Sequence, residues 1–360
     1  SIVFSSTNLI NRFLSSFGED VQKYLDIFRS RFSIADVEEV LEKMRSLTVT
    51  VVGDTILDDY QYCAPLGASS KEPVLAFTHK GGDVFAGGVL AVANHIAGFV
   101  DRVDLLTPLG EVDSHEDFIR ESLAGNVQPR FVFQKGAPTI RKRRYVDGYT
   151  MAKLIEIYHF DEAGLDRETE AEFCAMVEHS GRATDLVVAA DFGNGGLGGG
   201  CREVLCGLPF LAVNTQANAG NRGFHTISRY KRADFVSLAE PELRLDARDT
   251  ATGVIPLTEY AIKRLGARMM AVTRGKKGSY IQTHDGAGVL VPAFVAKVVD
   301  RIGSGDAFFS LAALAARLDV HPELVAFLGN VAGGIAVGTI GNQKPVTPEA
   351  VLKNVTSLLK

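Results

Sequence analysis

The sequence has few cysteines, and none is placed as a metal site or a disulfide framework would require. Four cysteines occur among 360 residues, without a C-x-x-C pair and without a histidine at ligand spacing. We therefore expect reduced, buried thiols, and no structural zinc or disulfide framework.

Long apolar runs and export signals are also missing. No apolar run approaches the roughly 20 residues that a membrane-spanning helix needs. The first residues, SIVFSSTNLINRF, contain no basic segment followed by an apolar one. These absences predict a cytoplasmic protein with no membrane partner. The start at Ser1 is compatible with a piece of a longer protein.

A surplus of positive charge is absent as well. Lys and Arg number 38 against 43 Asp and Glu, which gives a net charge of −5. A nucleic-acid binder gains most of its affinity by neutralising phosphates, so nucleic acid is not an expected partner. Apolar residues at 46% and charged residues at 22% are typical of globular proteins and exclude a fibrous or wholly disordered chain.

Glycine is abundant, with 36 residues, and most glycine clusters follow short apolar runs. These runs predict buried strands at 48–54, 185–193, 210–215, 233–238 and 268–275. Helical patterns fall at 87–98, 115–125, 166–180, 252–265, 304–318, 322–338 and 347–359. Strands that alternate with helices predict an α/β fold with a mostly parallel central sheet and helices on both faces.

Ligands of such sheets bind beyond the carboxyl ends of the strands, where Asp54, Asp191, Asn214 and Thr273 fall. The glycine run 193–200 is not followed by Lys-Ser/Thr, so we interpret it as a mobile turn near the substrate and not as a Walker A loop.

Two segments, 55–86 and 130–159, interrupt the strand–helix alternation with short extended runs and turn residues. The second contains KRRYVDGYTMAKL, in which Asp147-Gly148 predicts a hairpin. We expect a small antiparallel sheet here, which we call the lid. Residues 1–47 predict a helical N-terminal extension, with polar caps at Ser33 and Asp36, ahead of a main domain at 48–360.

A glycine-rich turn, DRIGSGD at 300–306, leads directly into an apolar helix. Gly303 and Gly305 let the backbone approach a ligand closely, and the amides and dipole of a helix start favour an anion. Asp306 would face that ligand from the first turn, or it would only stabilise its helix.

The only run of four consecutive cations is Arg141-Lys142-Arg143-Arg144, inside the second lid segment. Strand alternation places Lys142 and Arg144 on one face and the other two on the opposite face. One interpretation is that a face binds the phosphate of a sugar phosphate. The other is a solvated strand whose charges protect a sheet edge.

Four stretches occur in the order seen in the ribokinase-like (PfkB) carbohydrate kinases. They are VVGDTILDDYQYC at 51–63, AGGVLAVANHIA at 86–97, DRIGSGDAFFS at 300–310 and GNVAGGIAVGTIG at 329–341. The sequence resembles this family over about residues 47–360, and most closely its D-glycero-D-manno-heptose-7-phosphate kinase type. The resemblance implies the ribokinase-like three-layer fold with a small antiparallel β lid.

The resemblance also implies roles for particular residues. Asp306 would be the base that takes the proton of the attacking hydroxyl, and the Gly303-Ser304-Gly305 amides would form the anion hole. Sugar binding would fall to Asp58, Gly87, Gly88, Lys142, Arg144 and Asp191. The nucleotide would lie against Thr273, Gly275, Gly278 and Asn330, and Glu242 would organise the metal ion.

Several positions depart from the family pattern. Ala91 and Ala239 stand where the family has Asn, Asn194 stands for a Lys, and Asn214-Thr215-Gln216 replaces Asp-Pro-Lys. A catalytically silent or altered-specificity binding module would explain these changes together. Asp306 favours an enzyme, because a silent relative has no chemical need to keep it.

We therefore expect a carbohydrate kinase that uses ATP and Mg²⁺ to phosphorylate a sugar or a heptose-7-phosphate-like acceptor. A kinase for a nucleoside or a hexose phosphate is the alternative within enzymes. A lid of antiparallel strands leaves exposed edges that a second subunit would cover, so we expect a homodimer formed through the lid. Kinases of this type are often joined to a nucleotidyltransferase, and any such domain would lie outside residues 1–360, which contain no HxGH-type loop.

Overall fold

The computed structural model of the chain describes residues 17–286, 288–295 and 298–360. A nine-stranded sheet lies at the centre of the fold, and its strands run in the spatial order β13-β12-β11-β10-β9-β8-β1-β4-β5. Its strands are β1 (Thr48–Gly53), β4 (Arg102–Val112), β5 (Val127–Pro138), β8 (Leu186–Asp191), β9 (Leu211–Thr215), β10 (Phe235–Ala239), β11 (Met269–Thr273), β12 (Ser279–Thr283) and β13 (Gly288–Val291). Pairing is parallel from β5 to β11, whereas β12 and β13 complete the other edge in antiparallel. The predicted α/β class is confirmed.

Helices cover both faces of this sheet, as the alternating pattern predicts. The α-helices of the described chain are α1 (Glu19–Arg29), α2 (Ile34–Arg45), α3 (Val89–Ala97), α4 (Glu116–Ser122), α5 (Arg167–Arg182), α6 (Gly199–Cys206), α7 (Glu240–Ala247), α8 (Val254–Leu265), α9 (Ser304–Arg317), α10 (Pro322–Ala336) and α11 (Pro348–Leu359). Each of the seven predicted helical segments corresponds to one of them.

The central strands are mostly apolar because they are buried on both sides. Val188 and Ala190 of β8 belong to the core cluster on one face, and Val187 and Ala189 belong to the cluster on the other. Successive side chains point to opposite faces of a strand, so a doubly covered strand has no polar side.

A second, smaller sheet has the order β3-β2-β6-β7 and forms the lid. It contains β2 (Thr55–Ala68), β3 (Leu75–Gly88), β6 (Arg141–Asp147) and β7 (Lys153–His159). The β2–β3 and β6–β7 pairings are antiparallel, and the second is the hairpin predicted around Asp147-Gly148.

Two details of the lid differ from the expectation. Strands β2 and β6 pair in parallel, because the chain passes through α3, β4, α4 and β5 before it returns to the lid. Residues 130–138 belong to β5 of the main sheet, where they pair with β4. The lid therefore begins its second segment at Arg141.

The N-terminal helices pack on the main domain. Leu25 and Phe28 of α1 belong to the large core cluster, and the Phe28 ring stacks on that of Phe327 with 4.2 Å between centroids. Ser33 and Asp36 form the predicted cap of α2, in which each side chain accepts the other's backbone amide. The first 16 residues of the predicted extension lie outside the described residues.

No helix in the described ranges has the length and apolar character required to cross a membrane.

Candidate functional site

A cleft of about 850 Å³ opens at the carboxyl ends of the main-sheet strands, between them and the lid. The predicted site residues that line it are Asp58, Gly88, Lys142, Arg144, Glu242, Thr273, Gly275, Gly303, Ser304, Gly305 and Asp306. The structure thus brings together residues from both segments of the lid and from three separate regions of the main domain.

Asp306 lies in the first turn of α9 and is only 7% exposed. Its Oδ1 accepts a 2.6 Å hydrogen bond from Nε2 of Gln216, which follows β9. Burial raises the pKa of Asp306 to about 7, although the Gln216 hydrogen bond opposes the rise. The Asp58 charge raises the pKa further and that of Lys142 lowers it. A carboxylate with a pKa near neutrality is well matched to general-base work.

The loop before Asp306 has a conformation that requires glycine. Gly303, the N-cap of α9, has a φ of 82°, and a Cβ at this position would overlap the side-chain amide of Asn342. The loop residues Gly303 to Gly305 line the cleft. Amides at the start of a helix have no acceptor within it, so this turn presents donors for an anion.

The basic run separates into two faces, as strand alternation predicts. Arg144 and Lys142 are buried on the cleft side, whereas Arg143 is partly exposed and donates a hydrogen bond to Asp59 on the other side. Arg144 is fully engaged, because it forms ion pairs with Asp58 and with Glu156.

Lys142 differs from Arg144 in having no ion-pair partner among the described residues. Its Nζ lies 5.1 Å from the centroid of the Tyr158 ring and 5.9 Å from that of Phe192. Burial lowers the pKa of Lys142, and the attraction of Asp58 only partly compensates. A buried ammonium without a carboxylate partner is suited to bind an anionic ligand.

Asp58 and the glycine pair meet at the junction of the lid and the main sheet. Gly87 pairs with Ile56 in β2, and a Cβ on Gly87 would overlap the carboxylate of Asp58, so only glycine fits beside that carboxylate. Gly88 lines the cleft and caps α3. The pair therefore supports Asp58 in its place beside Arg144.

The predicted nucleotide residues border a second cavity of about 570 Å³. It shares Thr273, Gly275, Arg301, Ser304 and Gly305 with the cleft, so the two spaces are continuous. Its other lining residues are Lys276, Gly278, Ala293, Val295, Val298, Phe308, Asn330, Gly333, Gly334 and Val337. The largely apolar wall is suited to a flat base.

Asn330 has a structural task within that wall. Its Nδ2 donates to the backbone carbonyls of Val291 and Pro292, both at 3.1 Å. These hydrogen bonds hold the segment after β13 against α10, on the side where the sequence predicts the nucleotide.

Glu242 accepts backbone hydrogen bonds from Ala239 at 2.7 Å and from Ala217 at 3.1 Å. Burial raises its pKa to about 7 despite those bonds. Within the described ranges, no group of three or more His, Cys, Asp or Glu side chains is placed to hold a metal ion. One carboxylate at the cleft fits Mg²⁺ in its usual mode, in which substrate phosphates and water supply most ligands.

Asp191, predicted to bind substrate, is instead turned into the protein. Its carboxylate accepts hydrogen bonds from Tyr230 Oη at 2.8 Å and from the Gly193 amide at 3.1 Å, and it lies 3.1 Å from His225 Nε2. Burial by itself would lower the pKa of His225, but the hydrogen bonds and the charge of Asp191 outweigh it and leave that pKa raised. Asp191 is not among the residues that line the cleft.

The glycine run 193–200 is a turn followed by the start of α6, and it holds a protein carboxylate. The amides of Asn194 and Gly196 donate to Asp54 at 3.2 and 2.8 Å. The run therefore orders the end of β1, next to the point where the chain enters the lid.

Gln216 and Arg301 are among the cleft residues to which the sequence assigned no role. Gln216 donates a hydrogen bond to Asp306. Its position immediately after a buried strand is the sequence feature that could have identified it as a site residue. Arg301 lies within the loop motif and lines both cavities, without an ion-pair partner among the described residues.

Comparison with protein families agrees with this geometry. Residues 227–350 match the model of the pfkB family carbohydrate kinase. The matched range contains the Gly303–Asp306 loop, Glu242, Thr273 and Asn330.

Curated relatives include the "Bifunctional protein HldE" of Koribacter versatilis and that of Halorhodospira halophila. They are 26% and 28% identical to this chain, and each alignment covers 86% of it. The alignments span 63% of the length of each relative.

Solved structures with the same fold include phosphofructokinase-2 from Escherichia coli, in complex with potassium, with a TM-score of 0.70 and 16% identity. The alignment covers 87% of this chain and 99% of that one. Ribokinase from Thermotoga maritima has a TM-score of 0.67 and 19% identity, and the alignment covers 86% and 99% of the two chains. The fold is therefore ribokinase-like.

Proposed function

We propose that this chain, which carries a PfkB carbohydrate kinase domain, transfers the terminal phosphoryl group of ATP to a hydroxyl of a sugar phosphate. The observation that carries the proposal is the position of Asp306, a buried carboxylate with a pKa near 7 behind a glycine loop. The loop supplies anion donors, and the carboxylate faces the same cleft as the unpaired Lys142.

In this mechanism the acceptor hydroxyl lies between Asp306 and the glycine loop. Asp306 takes the hydroxyl proton as the oxygen attacks the γ-phosphorus, and ADP leaves on the opposite side. The amides of Gly303 to Gly305 stabilise charge on the transferred phosphoryl oxygens. Such reactions depend on position and electrostatics more than on covalent catalysis.

The nucleotide occupies the second cavity, with its base against the apolar wall and its phosphates toward the shared residues. Arg301 and Lys277 are exposed cations that line the cleft, and neither has an ion pair within the described chain. They would bind the phosphate chain as it crosses into the cleft. Glu242 would hold a Mg²⁺ ion brought by the nucleotide, and the ion would neutralise charge on the phosphate oxygens.

The acceptor is a phosphorylated sugar of the heptose-7-phosphate kind. Asp58 accepts hydroxyl hydrogen bonds, and Lys142 binds the acceptor's own phosphate. Arg144 supports Asp58 and does not bind the ligand directly, because its guanidinium already pairs with Asp58 and Glu156. A phosphate would give Lys142 the counter-ion that no residue of the described ranges provides.

The similarity to bifunctional relatives supports two further parts of the proposal. The chain spans 63% of their length, and we infer that it corresponds to their kinase portion, to which a nucleotidyltransferase domain outside residues 1–360 would be fused. We also infer a homodimer formed through the lid. Ile155 and Ile157 of the edge strand β7 are 56% and 41% exposed, and a second lid would cover them.

A panel of acceptors tests this function. The chain is incubated with ATP and Mg²⁺ and with D-glycero-D-manno-heptose 7-phosphate, fructose 6-phosphate, ribose, fructose or a nucleoside, and ADP release is measured. We expect release with a phosphorylated sugar and little with neutral acceptors. Binding of a sugar phosphate without ADP release under any condition would favour a silent binding module instead.

A further inference from the structure

Asp300 is a buried carboxylate that receives hydrogen bonds from four directions. It is 5% exposed, and Oδ1 accepts from Lys153 Nζ at 2.6 Å and from the Ile302 amide at 3.2 Å. Oδ2 accepts from Tyr60 Oη at 2.7 Å and from the Gly341 amide at 3.1 Å. Both oxygens are therefore fully used.

These donors come from separate parts of the fold. Ile302 directly precedes Gly303, so its hydrogen bond fixes the backbone that enters the anion-binding turn. Gly341 follows α10, the helix that forms a wall of the nucleotide cavity. One carboxylate thus sets the relative position of the turn and the segment after that helix.

Lys153 and Tyr60 bring the lid to the same carboxylate. Lys153 begins β7 and Tyr60 lies in β2, so side chains from two strands of the lid donate hydrogen bonds to Asp300. The Lys153 ammonium also lies 5.7 Å from the centroid of the Tyr60 ring. Its side chain is 31% exposed, so the ion pair lies at the margin of the lid and not in the deep core.

The charge balance at Asp300 depends on these lid donors. Burial by itself would raise the pKa of Asp300, but the hydrogen bonds from Lys153 and Tyr60, together with those from the two backbone amides, outweigh it and keep the pKa below its usual value. Removing the ammonium would leave a buried carboxylate with no cationic partner among the described residues. Such a group draws in water or changes its hydrogen bonds.

We propose that Lys153 is a positioning residue for phosphoryl transfer, and that its ion pair with Asp300 couples the place of the lid to the geometry of the anion-binding turn. The inference rests on the proposed function for its catalytic consequence. Its structural part, the ordering of Ile302 and Gly341 by a lid lysine, is independent of the substrate.

Amide hydrogen exchange and steady-state kinetics on the same variants test this coupling. Lys153→Met removes the ammonium and keeps the length of the side chain, whereas Lys153→Arg restores a cation. Lys80→Met is the matched control, because Lys80 is an exposed lysine of the same sheet with no ion pair in the described chain.

In Lys153→Met we expect faster exchange in the peptides that contain Ile302 and Gly341, with unchanged exchange in β8 and β9. With the acceptor found active, kcat falls about tenfold while the KM for ATP changes less than about threefold, the pattern of a lost transition-state contact. Lys153→Arg recovers most of both effects, and Lys80→Met matches the parent.

Parent-like exchange at Ile302 and Gly341 in Lys153→Met would overturn the inference, whatever the kinetics. Faster exchange at Ile302 and Gly341 in Lys153→Met, together with an unchanged kcat, would overturn the catalytic part of the inference. If the parent phosphorylates no acceptor, the proposed function fails, and the exchange experiment still decides whether Lys153 orders the turn.

Discussion

The side-chain amide of Gln216 donates a hydrogen bond to Asp306, with 2.6 Å between Nε2 and Oδ1. The two residues are 90 positions apart in sequence. They meet because β9 ends and α9 begins at the carboxyl edge of the sheet. This hydrogen bond stabilises the ionised carboxylate, whereas burial and the charge of Asp58 favour the protonated form. Gln216 therefore increases the fraction of Asp306 that is deprotonated at neutral pH.

Gln216→Leu removes that donor, and we expect the pKa of Asp306 to rise above its value of about 7. Because a base must be deprotonated to accept a proton, the acidic limb of kcat/KM then moves to higher pH, and activity recovers in alkaline buffer. The measurement is a pH–rate profile from pH 5.5 to 9. Ser237→Ala, a change at another residue that lines the cleft, is the control. Superimposable profiles for parent and Gln216→Leu would contradict the assignment.

Asp306→Asn tests the base itself. The change keeps the shape of the side chain but removes proton acceptance, so we expect turnover to fall by about 10²-fold or more with ATP binding nearly intact. Single-turnover kinetics and nucleotide titration measure the two effects separately. Near-normal turnover in this variant would remove Asp306 from the mechanism.

The same variant has a stability consequence with a definite sign. The pKa of Asp306 is about 7 in the folded chain and near 3.8 when unfolded, so the folded state binds more protons between these values. The ionised carboxylate then costs stability as pH rises from about 4 to 7. We expect Asp306→Asn to gain melting temperature relative to the parent at pH 8 more than at pH 5. A larger gain at pH 5 would contradict the buried, high-pKa carboxylate.

Most of the main sheet could be predicted because its central strands are buried on both faces. A run such as LVVAAD at 186–191 has no polar side, and it ends where the ligand edge begins. The Gly303 loop could be predicted because its glycine-rich turn leads directly into an apolar helix. The strands β4, β12 and β13 and the helices α6 and α7 were not predicted, and all of them except β4 are short, with at most eight residues.

The connections between distant residues could not be predicted in the same way. Lys153 and Asp300 are 147 positions apart, and their ion pair depends on the register of β6 and β7. The basic run predicted two faces, but only the structure distinguishes Arg144, which is paired, from Lys142, which is not. Charge partners require three-dimensional placement, and the sequence pattern supplies only the direction of each side chain.

The apolar outer face of the lid provides a test of assembly. Ile155 and Ile157 pair with Tyr145 and Arg143, so they lie on the face opposite the cleft. We expect the parent to be a dimer by light scattering and the double variant Ile155→Lys, Ile157→Lys to be a folded monomer. Ile255→Lys, at an exposed isoleucine of α8, is the control. A parent that is monomeric at high concentration would contradict a dimer formed through the lid.

Lys142 and Arg144, the two cations on the cleft face of β6, should respond differently to substitution. Lys142→Met should raise the KM for a phosphorylated acceptor about tenfold or more, since a hydrogen bond to a charged group contributes about 1.5–3 kcal/mol. The KM for ATP and the turnover of any neutral sugar should change little, because the proposed partner of the ammonium is the phosphate of the acceptor.

Arg144→Met should behave differently from Lys142→Met. It leaves Asp58 without its buried partner, and breaking such a pair costs about 3–5 kcal/mol, so we expect a loss of thermal stability before any specific change in KM. Arg143→Met, on the opposite face and paired with Asp59, is the control for the loss of one positive charge in this strand. Initial-rate kinetics with phosphorylated and neutral acceptors, with melting curves for each variant, measure all three. If Lys142→Met binds every acceptor as the parent does, Lys142 serves only the lid, and the proposal of a phosphorylated acceptor loses its main independent support.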